Sequence, residues 1–135
     1  MQQSDWDDLR EQMDQPYGQM ALMCDGFRVD LVQYTEPRKR SWCTNIYVND
    51  SIKGVWLSMD HGGEPVHEEA RRFYRRSNKK LYSAAEIALH RKLYGKKRAD
   101  ELATKVITSL NWDWSNFNAL KKHLQANNTK IERLH

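Results

Sequence analysis

The sequence predicts an α+β domain: an N-terminal helix, a four-stranded antiparallel meander, then about four helices packed on one face of that sheet. Three observations carry the prediction. Trp6, Leu9 and Met13 recur at helical spacing, residues 19–59 break into short runs rich in β-branched and aromatic side chains, and residues 66–127 return to a helical period. With 135 residues the chain can bury a core without metal or disulfide staples. One domain over 1–135 is therefore expected, its sheet-forming part at about 19–59 and its helical part at about 66–127.

The first helix has Ser4 as its expected cap and Asp5, Asp7 and Asp8 in the turn where a helix N-terminus favours acids; Pro16 and Gly18 end it. "MALMC" and "FRVDLVQY" flank Asp25-Gly26, a pair suited to a two-residue hairpin turn in which both residues need positive φ. "TEPRKRS" reads as a polar turn before "WCTNIYV", and "NDS" separates that strand from a fourth, "IKGVWLSM". Alternation puts Trp42, Thr44, Ile46 and Val48 on one face and Cys43, Asn45 and Tyr47 on the other.

"DHGGEP" reads as a linker, and from Val66 the chain reads as helices. Val66, Ala70, Phe73 and Tyr74 form an apolar stripe, which places Arg71, Arg72, Arg75, Arg76 and Lys79 on the opposite half of a helix continuing to Lys80. Ser83 and Glu86 have the spacing of a capping box for a helix that ends at Tyr94-Gly95. A third helix is expected from Ala99, Leu102, Ala103, Val106, Ile107 and Leu110, with Asn111 as its cap. After "WDWS", Ser115 caps a fourth, whose Phe117, Leu120 and Leu124 face inward until Asn127-Asn128. "TKIERL" is a final short strand or a loose end.

Charge is unevenly spread. Residues 1–65 hold eleven Asp/Glu against six Lys/Arg, a net −5, whereas residues 66–135 hold sixteen Lys/Arg against seven Asp/Glu, a net +9. Such a dipolar chain points to a polyanionic partner. The expected contact residues are Arg71, Arg72, Arg75, Arg76, Lys79 and Lys80, on nucleic-acid phosphate or on an acidic partner. The like-charge pairs Arg71/Arg75 and Arg72/Arg76 favour a binding surface over a solvated one. Tyr34, Trp42, Tyr47 and Trp56, on adjacent strands, are protein-interface candidates.

No catalytic constellation is expected. "MDHGGEPVHEE" supplies Asp60, His61, Glu64, His67, Glu68 and Glu69, but its spacing matches no zinc or hydrolase motif, and the glutamates suit the first turn of the next helix. A metal-dependent enzyme using Asp60, His61 and His67 is a distant alternative. No cofactor, metal or membrane partner is expected, and a homo-oligomer is left open. Cys24 and Cys43 read as buried free thiols, and with no signal-like start the expected compartment is the cytoplasm.

"YVNDSIKGVW", "LYSAAEIALHRKLYGKKRA" and "WSNFNALKKHLQANNTKIERL" together resemble a family of small proteins encoded by tailed phages and prophages. The resemblance covers about half the chain and names no activity. It implies a short accessory factor in the host cytoplasm that binds host macromolecules, including inhibitors of defence systems such as anti-CRISPR proteins. No functional residue carries over. The expected function is thus non-enzymatic binding of nucleic acid through the basic face, or else inhibition of a host complex that itself binds nucleic acid.

Overall fold

A computed structural model describes residues 1–36 and 41–134, without the side chains of residues 35, 36, 41 and 42. The fold is mixed α+β with antiparallel sheets. It divides into two compact units, one made of residues 1–75 and 110–135 and the other of Arg76–Ser109.

In the larger unit, helix α1 (Gln3–Met13) buries Trp6, Leu9 and Met13, as the spacing predicts. It starts before Ser4: the Gln2 backbone N–H donates to the Asp5 carboxylate at 3.1 Å, so the third residue of the helix caps it. Strands β1 (Gln19–Cys24), β2 (Phe27–Glu36) and β3 (Ser41–Val48) form a meander. Asp25 and Gly26 have φ of +48° and +90°, the turn the dipeptide predicts. Gly18, ahead of β1, must be glycine for another reason: a Cβ there would collide with the Gln12 carbonyl oxygen. The turn expected at "TEPRKRS" falls largely outside the described residues.

Met20, Leu22, Cys24, Val29, Leu31, Ile46 and Val48 share one core with Trp6, Leu9 and Met13. Cys24 and Cys43 are buried and unbridged.

The expected fourth meander strand does not form. Asn49 and Asp50, both at positive φ, make a tight turn, but pairing stops at Val48 and Ser51, and Gly54–Leu57 is a 3-10 turn that buries Trp56. The reason lies in the sheet order β6-β3-β2-β1-β7. The outer edge of β3 is taken by β6 (Asp113–Trp114), and the Ile46 N–H donates to the Trp112 carbonyl. The other edge is closed by β7 (Ile131–Arg133) against β1, so "TKIERL" does supply a strand.

Helix α2 (Glu68–Phe73) is six residues long, and the chain turns extended at Tyr74 with ψ of 145°. The helix expected to run to Lys80 is therefore cut short, and residues 75–80 form a strand instead. Three α2 carbonyls are taken by side chains far along the sequence: Trp114 Nε1 donates to Phe73 O at 3.0 Å, His123 Nε2 to Arg71 O at 3.1 Å, and Asn128 Nδ2 to Arg72 O at 3.5 Å. With those acceptors engaged, the ladder has no continuation. The donors belong to β6, to helix α5 (Phe117–Asn127) and to its C-cap Asn128. Asn116, rather than Ser115, caps α5 through the Ala119 N–H, and Leu120 and Leu124 are buried.

A two-stranded ribbon of β4 (Arg75–Lys80) and β5 (Val106–Asn111) belongs to the smaller unit except for Arg75, Leu110 and Asn111, which count with the larger one. Ser77 pairs with Ser109, and Thr108 donates to Asn78 at 2.6 Å. Numbers rise on one strand as they fall on the other, so the ribbon is antiparallel. Helix α3 (Ala84–Tyr94) starts on Ser83, whose hydroxyl accepts the Glu86 N–H at 3.2 Å, and ends at Gly95 with φ of +94°. Helix α4 (Lys96–Ala103) is shorter than the run to Leu110 predicts. Thr104 turns its hydroxyl onto the Glu101 carbonyl at 2.8 Å, and the β-branched Val106, Ile107 and Thr108 enter β5.

One buried polar pair yields a prediction. Gln33 is 2% exposed, and its Oε1 accepts the Thr44 hydroxyl at 2.9 Å, while its Nε2 meets no partner. An unmatched buried donor costs about 1–3 kcal/mol. Replacing both groups by apolar ones of similar shape, Gln33→Met with Thr44→Val, is expected to leave the thermal midpoint unchanged or a few degrees higher. A clear fall in a calorimetric scan would contradict this.

Candidate functional site

The expected basic face is dispersed once the helix carrying it is cut short. Arg71 donates through Nε and Nη2 to the Glu68 carboxylate at 3.1 and 2.6 Å. Arg72 is more deeply engaged. Its Nη1 donates to Asp25 Oδ2 at 2.7 Å and to Asn128 Oδ1 at 3.2 Å, its Nε donates to Glu68 at 3.0 Å, and its guanidinium lies over the Phe27 ring. Arg75 donates to the Asp113 carbonyl at 2.9 Å and pairs with its carboxylate at 3.4 Å. Arg72 and Arg75 tie distant segments of the larger unit together, while Arg71 pairs within its own helix. Arg76, Lys79 and Lys80 are exposed on β4.

The charge partners respond as expected. Hydrogen bonds from Arg71 and then Arg72 hold Glu68 down from an ordinary 4.5 to about 2. Asp25 is also held below the usual carboxylate range, first by the Thr129 and Lys130 backbone N–H groups, each at 2.7 Å, and then by Arg72.

The aromatic candidates separate. Trp56 is 7% exposed and meets Tyr74 edge to face at 6.2 Å, so it belongs to the core rather than to an interface. Tyr34 and Tyr47 are half-buried, and Tyr34 lines a recess with Pro16, Tyr17 and Val32. The Trp42 side chain lies outside the described residues.

The acid and histidine segment forms a turn. Asp60 Oδ1 accepts the Gly62 and Glu64 N–H groups at 2.8 and 2.9 Å, and Glu68 is held by Arg71 and Arg72. Among the described residues, no group of three or more His, Cys, Asp or Glu is arranged to hold a metal ion. Among the described residues, no helix is long and apolar enough to cross a membrane. Burial pushes the Cys24 thiol up to about 12, far from a ready nucleophile.

The dense positive charge lies in the smaller unit. Residues 76–109 hold nine Lys/Arg against three Asp/Glu, a net +6; since the whole chain is +4, the remaining residues are at −2. Arg91 pairs with Asp100 at 3.7 Å. Lys79, Lys80, Lys92, Lys96, Lys97, Arg98 and Lys105 are exposed and form no ion pair among the described residues. Lys96, Lys97 and Arg98 fill the first turn of α4, where the N-cap Gly95 offers no side-chain acceptor and the helix dipole disfavours cations.

Five of these cations, Lys92, Lys96, Lys97, Arg98 and Lys105, lie outside the patch that periodicity singles out. The signal that finds them is charge per folding unit: paired polar strands at "RRSNKK" and "VITSLN" enclose the α3–α4 hairpin. Compared with known proteins, the chain matches no family model, no curated protein and no solved structure.

Proposed function

We propose that this chain is a non-enzymatic binding protein whose Arg76–Ser109 unit engages a polyanion, with nucleic acid as the primary reading. The observation that supports it most is the set of seven exposed cations, Lys79, Lys80, Lys92, Lys96, Lys97, Arg98 and Lys105, without ion pairs among the described residues. The first turn of α4 places three successive cations at the positive end of the helix dipole, with Asp100 and Glu101 one turn further on. Phosphates brought to that turn would relieve the repulsion and release counterions. The predicted arginines Arg71, Arg72 and Arg75 take no part in this reading, because each is already committed to a carboxylate.

Salt-titrated binding of short fluorescent DNA and RNA tests it. If four or five phosphates are contacted on a single strand, log K should fall against log salt with a slope of about −3, from roughly −0.7 per phosphate. Absence of binding at low salt would remove nucleic acid as the partner.

A second reading is an inhibitor of a host complex, in the manner of an anti-CRISPR protein, that occupies an acidic protein surface. The exposed aliphatic side chains of the same unit favour it, since phosphate contact does not call for them.

A further inference from the structure

The Arg76–Ser109 unit has hardly any core. Ala99 is its one fully buried residue among those described, while Leu89 is 59% and Leu93 63% exposed, with Val106 and Ile107 also more than half exposed. Scattered surface aliphatics are ordinary, but these two leucines lie one helical turn apart. At about 100° per residue, the half-buried Ile87 and His90 mark the α3 face turned toward α4. Ala85 falls opposite that face, and Leu89 and Leu93 follow it along a row that winds by about 40° per step until Leu93 lies on the flank of α3, with Lys92 beside Ala85 and Leu89. Side chains four residues apart form the kind of ridge against which a second helix packs.

Charge decides what can cover it. A second copy of the chain would bring +6 against +6 through the same unit, so symmetric self-pairing on this face is opposed. A membrane surface is a poor match, because the stripe offers two large aliphatic side chains and no Trp or Phe. Single-stranded nucleic acid stacks on aromatic rings rather than on leucines, and the exposed ring of α3, Tyr94, already lies against His90 at 4.6 Å. We propose that the outer face of α3 seats an acidic amphipathic helix of a partner protein. Its aliphatic side chains pack on Leu89 and Leu93, and its carboxylates meet Lys92 and the cations of the α4 first turn. Glu86, the carboxylate nearest the stripe, accepts the Ser83 hydroxyl at 3.1 Å and sits at the positive end of α3, which limits its repulsion of such a partner. This inference stands on the aliphatic stripe and does not require nucleic-acid binding.

The test is selection of a random 16-residue displayed peptide library on the full chain, run in parallel on the Leu89→Gln/Leu93→Gln variant. Both positions are exposed and Gln is a good helix former, so the variant should keep its thermal midpoint within about 2 °C. Expected are enriched peptides of net negative charge with aliphatics three or four residues apart, binding the variant at least tenfold more weakly and losing affinity with salt. Oligonucleotide binding should be equal in the two proteins. The inference is overturned by no enrichment, by enrichment of neutral or basic peptides, or by equal binding to the variant. It is also overturned if the double substitution abolishes self-association in sedimentation, binding to anionic vesicles, or oligonucleotide binding, each of which would name a different occupant.

Discussion

Lys96→Glu, Lys97→Glu and Arg98→Glu, made together, are expected to weaken binding of short single-stranded DNA at low salt about a hundredfold and to flatten the salt slope by about 2. The three cations occupy the first turn of α4 above an N-cap that supplies no side-chain acceptor. Each phosphate that is no longer neutralised takes about 0.7 off the slope on a single strand. Acids at those positions suit the helix dipole, which offsets their repulsion from Asp100 and Glu101 four residues on, so the thermal midpoint should change little and weaker binding would not reflect unfolding. Arg71→Gln is the counterpart: that arginine already bonds Glu68 at 2.6 Å, and its removal should leave affinity within about twofold. If the triple variant kept wild-type affinity and slope, α4 would not be the phosphate-binding element.

Local chemistry made part of the fold legible. The Asp25-Gly26 turn, the Ser83–Glu86 cap with Gly95, and the buried faces of α1 and α5 all follow from side chains within a few residues of the feature they set. Long-range competition decided the rest. Residues 66–80 have a sound helical period, yet Trp114, His123 and Asn128 take the carbonyls that would carry α2 onward. The Ile52–Met59 run reads as a strand, but the β3 edge it needs belongs to Asp113–Trp114. No window of local sequence contains that competition.

The proposed binding surface shows the same split. That positive charge gathers in the C-terminal half of the chain is visible from composition; which cations face outward is not. Arg71, Arg72 and Arg75 look like a like-charge cluster only while their acids, Glu68, Asp25 and Asp113, are out of view, and two of those acids lie 47 and 38 residues away. The 96–110 segment misleads in the opposite sense. Its apolar residues fit one helix face, but three β-branched residues between 106 and 108 pair with β4 instead, leaving α4 short with its cations at an N-terminus.

Arg72→Ala should lower the thermal midpoint by about 10 °C, because this side chain, 18% exposed, ties together segments distant in sequence. Asp25 stands in the β1–β2 turn, and its two oxygens hold the Thr129 and Lys130 N–H groups ahead of β7, while Arg72 joins that carboxylate to α2 and to Asn128. Without the guanidinium, Asp25 keeps its two backbone donors but loses its paired cation, and the Asn128 side-chain oxygen loses its Arg72 donor. The same network sets the acid response. Asp25 and Glu68 bind protons more weakly folded than unfolded, Glu68 at about 2 against an ordinary 4.5. Their contribution is therefore complete above the unfolded values and is lost as pH falls through the folded ones. Thermal midpoints of the wild type should drop between about pH 5 and pH 2, and Asp25→Asn/Glu68→Gln should start lower and fall less steeply over that window. Melts at half-unit pH steps decide it: parallel profiles for the two proteins would show that other carboxylates govern acid unfolding.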